Sequence, residues 1–218
     1  VHPQVDGRFW VGVAPIGGRV SGTTLAAVAD LAARHGSGRI RLTAHQKLLV
    51  LDVPEAEVAT LVAELDALGL PANPSEWRRG VLACTGIEFC KLALVETKAR
   101  ARSAVEELER RIPDLDAPVT IHVNGCPNSC ARFQVADIGL KGLVMTGASG
   151  ETVEGFQVHL GGALGGNARL ARKTRALRVE ADDLVDYVER VVTRFRTDQA
   201  PGESFAEWAH RADEEALR

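Results

Sequence analysis

The chain has 218 residues, of which 45% are hydrophobic and 25% charged, and a formal net charge of -3. That length is enough for one or two domains with a sizeable core, and the balance is ordinary for a globular protein. No basic surplus exists to neutralise phosphates, which argues against nucleic acid as the main partner. No apolar run reaches the roughly 18 residues of a membrane-spanning helix, and no charged-then-apolar leader opens the chain. No membrane partner is therefore expected, and the cytoplasm is the default location. The chain opens on Val1, a few residues before a strand-like stretch, which reads as a piece of a longer polypeptide.

The run Phe9 to Ile16 is β-branched and aromatic and ends at Gly17-Gly18, so it predicts a strand and a turn. Ser21 is placed to cap a helix whose Leu25, Val28, Leu31 and Ala32 share one face, with Gly36 to end it. Gly38 to Thr43 and Lys47 to Val53 read as paired strands. Pro54 then opens a second helix, in which Val58, Leu61, Val62, Leu65 and Leu68 recur at helical spacing. This order, strand–helix–strand–strand–helix, predicts a ferredoxin-like α+β half-domain over residues 1–79.

A different pattern fills residues 80–218. A long helix is expected from just after Ile87 to Arg111, because Ala, Leu, Glu, Lys and Arg dominate there. Pro118 to Val123 reads as a buried strand running into Asn124-Gly125-Cys126, followed by a short turn or helix over Cys130 to Phe133. Val135 to Val144 and Phe156 to Leu160 are strand-like. An amphipathic helix carries Leu184, Val188, Val191, Val192 and Phe195, and a terminal helix is expected over Phe205 to Leu217.

All four cysteines fall in two pairs, CTGIEFC (Cys84, Cys90) and CPNSC (Cys126, Cys130). Disulfides suit secreted chains too small for a good core, which this is not. Zinc prefers short Cys-x₂₋₄-Cys hooks, and the five residues between Cys84 and Cys90 are long for one. Inert buried thiols are common, yet these four lie at loop-to-helix junctions beside Gly and Pro. A cubane iron–sulfur cluster accounts best for the pattern. It needs four thiolates on loops whose backbone amides can hydrogen-bond to sulfur. Gly125 lets the chain turn into Cys126, and Pro127 fixes φ just after it.

The stretches ACTGIEFCKLALVETKARA (Ala83 to Ala101) and HVNGCPNSCARFQVADIGLKG (His122 to Gly142) closely resemble the ferredoxin-dependent nitrite/sulfite reductase family. GSGRIRLTAHQKLLVLDV and VHLGGALGG are similar to it too, so the resemblance covers nearly the whole chain and points to the C-terminal half of such an enzyme. It implies an α/β domain, following the half-domain, that binds a 4Fe–4S cluster and a sirohaem. The metal ligands would be Cys84, Cys90, Cys126 and Cys130, with Cys130 also the axial ligand of the sirohaem iron. The implied reaction is the six-electron reduction of nitrite to ammonia or sulfite to sulfide, with electrons from ferredoxin. The missing N-terminal half of the same enzyme would be a partner and the source of the substrate-binding cations.

RLTAHQK is similar to a motif that the family carries once per half, so the resemblance also implies cofactor contacts from Arg41, Thr43 and Gln46. In the first-half copy an Arg directly precedes the Gln; His45 stands there, as in the second copy. Gly161 and Gly162 of the glycine-rich loop and Asn124 are further candidates for cofactor binding. His122 and His159 are expected to be packing histidines, and no catalytic acid or base is nominated. Many relatives place Gly directly after the fourth cysteine; here it is Ala131, expected as a first helical residue with ordinary φ. Two other readings stand beside the reductase: a sirohaem/iron–sulfur oxygenase of corrin (precorrin) biosynthesis, and a non-catalytic iron–sulfur electron-transfer module.

Overall fold

The computed structural model of the chain describes residues 1–147 and 149–218, with the side chains of Arg175 and Ala176 not described. It divides into two compact units, Val1–Pro74 and Ser75–Arg218.

The first unit contains β1 (His2–Pro3), β2 (Phe9–Val13), α1 (Gly22–His35), β3 (Ile40–Leu42), β4 (Leu48–Val53) and α2 (Glu55–Ala67). The strand order β1-β2-β4-β3 is antiparallel throughout. This is the split-β-α-β arrangement, with the two-residue β1 taking the edge place beside β2. Ser21 starts α1 by accepting a hydrogen bond from the Thr24 amide at 3.0 Å, which satisfies one of the helix's orphan donors. Both helices pack on the sheet, burying Leu31, Leu61 and Leu65 against Val11, Val13 and Val50. The pairing of β2 with β4 shifts register between Phe9 and Val11. Opposite that irregularity Asp52 adopts φ 60°, a left-handed conformation that Asp tolerates better than most residues.

The second unit begins at Ser75, five residues before the boundary expected after residue 79. The reason is local. Ser75 caps α3 (Glu76–Gly80). The Trp77 indole donates to the Ile112 carbonyl at 3.0 Å, and Arg78 pairs with Glu109 at 2.7 Å. Then follow β5 (Val81–Ala83), α4 (Lys98–Arg111), β6 (Ile121–Asn124), β7 (Ile138–Thr146), β8 (Thr152–Leu160), β9 (Arg172–Glu180), α5 (Leu184–Asp198) and α6 (Phe205–Arg211).

These strands form one sheet in sequence order, β5-β6-β7-β8-β9, with β5, β6 and β7 parallel and the last two pairings antiparallel. Paired residues share a face of a sheet. One face is therefore apolar: Ile121, Val123, Ile138, Leu140, Val158 and Leu160 are all buried. The other carries His122, Asn124, Lys141, Gln157 and His159. α4, α5 and α6 complete the core, with Phe195, Phe205 and Trp208 packed ring to ring at 5.3–5.6 Å.

The helix expected from Ile87 begins only at Lys98. Residues 84–97 form a loop instead, which combines local turns with bonds to distant parts of the chain: Leu94 donates to the Gly125 carbonyl at 2.7 Å and Glu96 to the Glu154 carboxylate at 3.1 Å. Such tertiary bonds override local helix propensity. Likewise Ala131 lies in a turn, outside any helix. A short 3₁₀ turn follows at Phe133–Val135, and the left-handed residues beside it are Ser129 and Arg132, with φ of 60° and 57°. Ala131 itself carries no positive φ, so the absence of Gly there adds no strain.

Candidate functional site

Ligand sites in sheets of this kind form beyond the carboxyl ends of parallel strands. Both cysteine pairs sit there. Cys84 directly follows β5, and Cys126 lies one residue beyond Gly125 at the end of β6. The two strands are adjacent, and the Cys84 amide extends their ladder by donating to the Val123 carbonyl at 3.0 Å. The fold therefore makes neighbours of two motifs that are distant in sequence.

The loops are then joined through Gly125. Its amide donates to Cys84 Sγ at 3.2 Å, and its carbonyl accepts from Leu94. A Cβ on Gly125 would lie 3.0 Å from Ala93 Cβ and 3.2 Å from the Val95 carbonyl oxygen. On Gly142 of β7 it would lie 2.5 Å from Val95 Cγ2 and 2.8 Å from the Asn124 carbonyl oxygen. Glycine at these two places lets the first cysteine loop settle on the ends of β6 and β7.

Thr97, wholly buried, fastens the far end of that loop. Its hydroxyl donates to the Cys84 carbonyl at 2.7 Å and lies 3.9 Å from Cys84 Sγ. Gly86, at φ 77°, passes so close that a Cβ would sit 2.4 Å from the same hydroxyl. Within the loop the Cys90 amide closes a turn onto the Gly86 carbonyl at 3.0 Å. Thr97 was not singled out by sequence reasoning. In sequence it falls inside the run expected to be helical and carries no signal of its own; in the structure it precedes α4, and its side chain makes no cap bond but serves the cysteine loop instead.

The second loop is closed by Asn124, buried to 1% exposure, whose Oδ1 accepts from the Ala131 amide at 2.7 Å. Asn124 itself ends β6 and has no positive φ; the left-handed residue of this loop is Ser129. The segment after Cys130 folds over the polar sheet face. The Arg132 carbonyl meets His122 Nδ1 at 3.0 Å, and Phe133 packs on His159 with ring centroids 4.7 Å apart. His122 and His159 are both buried. Burial, with Lys141 and Lys173 nearby, pushes the His159 imidazole down to about 4, so it stays neutral near neutral pH.

All four cysteines are free thiols; Cys126 is buried, Cys84 and Cys90 half-buried, and Cys130 exposed. Among the described residues no three His, Cys, Asp or Glu side chains are gathered as they would be around one metal ion. A cubane distributes its four thiolates over four irons and so calls for a wider ring of sulfurs. The donor set fits such a group: free thiols on two loops, a backbone N–H already directed at one sulfur, and glycines where the loops must touch.

The remaining candidates are divided between the two units. Arg41 is exposed on β3, and Thr43 and Gln46 belong to the β3–β4 turn, all in the first unit. The Thr43 hydroxyl accepts from the His45 and Lys47 amides at 3.2 and 3.1 Å, while Gln46 adopts φ 58° over Gly18. Burial lowers the Lys47 ammonium to about 8. In the second unit, a Cβ on Gly161 would lie 2.8 Å from the His210 ring, and one on Gly162 2.7 Å from the Gln134 carbonyl oxygen. The close approaches these two glycines allow are thus to the protein's own chain.

No helix among the described residues is long and apolar enough to cross a membrane. Residues 2–68 match the nitrite/sulfite reductase ferredoxin-like half domain, and residues 76–218 match the nitrite and sulphite reductase 4Fe-4S domain. The chain is 58% identical to a sulfite reductase (ferredoxin) of Mycobacterium tuberculosis, over 98% of its own length and 39% of that protein's. It is 39% identical to a ferredoxin–nitrite reductase of Synechococcus elongatus, over 88% of its length and 37% of that protein's. The solved structure of the Mycobacterium tuberculosis NirA protein superposes with a TM-score of 0.96 at 56% identity, covering 100% of this chain and 40% of that one. The chain thus spans about two fifths of the length of these relatives. With two free-thiol pairs at adjacent strand ends and a family match over both of its units, the chain belongs to the nitrite and sulfite reductase family and carries its ferredoxin-like half domain and its 4Fe–4S domain.

Proposed function

We propose that this chain is the cofactor-bearing part of a ferredoxin-dependent reductase that takes sulfite to sulfide by six electrons. The observation that carries the reading is the pair of cysteine loops at the ends of β5 and β6, joined by the Gly125 N–H···Sγ bond to Cys84. The choice of sulfite over nitrite rests on likeness: the relative named for sulfite is 58% identical and the one named for nitrite 39%. The cytoplasm is the proposed location.

In this reading Cys84, Cys90 and Cys126 would hold a 4Fe–4S cluster, and Cys130 would serve both that cluster and a sirohaem. Cys130 is the exposed member of the four, which suits a thiolate shared between two groups. When bound, the pair of cofactors would supply the single-electron transfers that the reduction needs. The protein's part is to fix the loops. Thr97 and Gly86 seat the first, Asn124 closes the second, and the Gly125 amide adds a donor that stabilises negative charge on sulfur. Arg41, Thr43, Gln46, Gly161 and Gly162 are retained as proposed cofactor contacts, and the cations that bind the oxyanion are assigned to the rest of the polypeptide.

The test is to purify the polypeptide carrying this chain and measure iron, visible bands and methyl-viologen-driven loss of sulfite and nitrite. The expected result is iron for one cubane plus one haem, sirohaem bands, a preference for sulfite, and loss of both cofactors in Cys130→Ser. A cluster without haem supports an electron-transfer module instead. Both cofactors without turnover of either anion support the precorrin oxygenase. Either result sinks the reductase.

A further inference from the structure

Asn124 has work left over after it closes the second cysteine loop. Its Oδ1 is committed to the Ala131 amide at 2.7 Å, which also settles the orientation of the carboxamide, since only the oxygen can accept. The other end, Nδ2, is buried and has no hydrogen-bond partner among the described residues. Asn124 is 1% exposed, so water does not serve that group as it would on a surface. Buried amide N–H groups are nearly always paired, and an exception calls for an explanation.

The surroundings narrow what the partner can be. Asn124 and Ala131 are the two ends of the loop that contains Cys126 and Cys130, so the carboxamide stands at its neck. The residue across the ladder on β7 is Lys141, a donor that cannot accept. The Ser129 hydroxyl in the same loop donates to Gln134 Oε1 and makes no hydrogen bond with Asn124 Nδ2. A neutral amide also differs from a carboxylate here: Asp could close the loop on Ala131 just as well, but only Asn adds N–H donors at the neck.

We infer that Asn124 Nδ2 donates a hydrogen bond to sulfur of the cluster held by Cys126 and Cys130, either a thiolate or a cluster sulfide. This rests on the proposed cofactor reading and assigns Asn124 as a positioning residue with two tasks. One carboxamide holds the ligand loop closed through its oxygen and stabilises the reduced cluster through its nitrogen. A donor to sulfur favours the more negative state, so it raises the reduction potential.

The experiment uses the cofactor-loaded polypeptide that carries this chain, grown with asparagine labelled with ¹⁵N in the side-chain amide. Pulsed EPR of the reduced cluster then reads any nitrogen hydrogen-bonded to sulfur. Within this chain Asn73, Asn124, Asn128 and Asn167 carry the label. The expected result is a ¹⁵N coupling in the parent protein that persists in Asn128→Asp and Asn167→Asp and vanishes in Asn124→Asp. The cluster midpoint potential should fall in Asn124→Asp and Asn124→Leu. A purely structural Asn124 would leave no such coupling to lose. A parent protein that holds a cluster but shows no ¹⁵N coupling overturns the inference. So does a coupling that disappears in Asn128→Asp or survives in Asn124→Asp. Should Asn124→Asp fail to assemble, the parent and the two control variants still decide. A parent protein with no cluster at all overturns the cofactor reading together with this one.

Discussion

Replacing Thr97 by Val separates the hydrogen bond that seats the first cysteine loop from the packing around it. The two side chains are nearly isosteric, and Thr97 is 0% exposed, so Val fills the same space. What disappears is the 2.7 Å bond from its hydroxyl to the Cys84 carbonyl, together with the 3.9 Å approach to Cys84 Sγ. Leaving this part-buried carbonyl without its donor costs on the order of 2 kcal/mol. For a unit of this size each kcal/mol moves the melting temperature by about 2–4 °C, so Thr97→Val should melt roughly 4–8 °C lower. Thr97→Ser keeps the hydroxyl and removes only a methyl, so its loss should come from packing alone. The assay is thermal unfolding followed by circular dichroism, with iron content measured on the same samples. Both the stability and the iron of Thr97→Val should fall below those of Thr97→Ser. If Thr97→Val melts with the parent protein, the bond to Cys84 contributes nothing, and the account of how the loop is seated fails.

Three further outcomes follow from other parts of the structure. Gly139→Ala would place a Cβ 1.9 Å from the Phe133 carbonyl oxygen; backbone must move, at a cost of about 1–3 kcal/mol or more, visible as a lowered denaturant midpoint at unchanged slope. The His159 imidazole, pushed down from 6.5 to about 4, contributes stability that is complete above pH 6.5 and lost as the pH falls through about 4; an NMR titration should show the ring neutral at pH 5, and a ring protonated there would refute its burial. Hydrogen bonds from Ser37, Gln4 and Arg39 hold the Asp52 carboxyl well below the usual carboxylate range. Its contribution is therefore present above about pH 4 and drains away in stronger acid, so Asp52→Asn should flatten the acid limb of the melting curve, and an unchanged limb would assign that loss to other groups.

Elements with a full hydrophobic period were legible in the chain alone. α1, α2 and α5 lie where their apolar spacing puts them, and Ser21 and Gly36 bound α1 as expected. The cysteine loop was not legible. Lys91, Leu92, Ala93, Leu94 and Glu96 are all helix formers, yet they run as a loop, in which the Leu94 and Glu96 amides find their partners at Gly125, just beyond β6, and at Glu154 on β8. β9 escaped notice for a different reason: Arg172, Lys173 and Arg178 interrupt any apolar alternation, and only pairing with β8 makes the segment a strand. At the site itself, the four cysteines and Gly125 could be picked out because their types and spacing are unusual. Thr97 and Gly142 could not, since each matters through a contact with a distant part of the chain.

That contrast also explains how the first cysteine loop keeps its shape. Ile87, Phe89 and Leu92 are 51%, 73% and 64% exposed, so the middle of the loop takes little from core packing. Val95 and Thr97, both 0% exposed, anchor its end, and Cys84 anchors its start through the strand ladder and Gly125. A segment held at both ends by buried groups and hydrogen bonds needs no apolar interior to define its path. Sequence position alone would give Phe89 and Val95 equal standing, as apolar residues flanking Cys90. The structure separates them: truncating Val95 removes an anchor of the ligand loop, whereas truncating Phe89 removes only exposed surface.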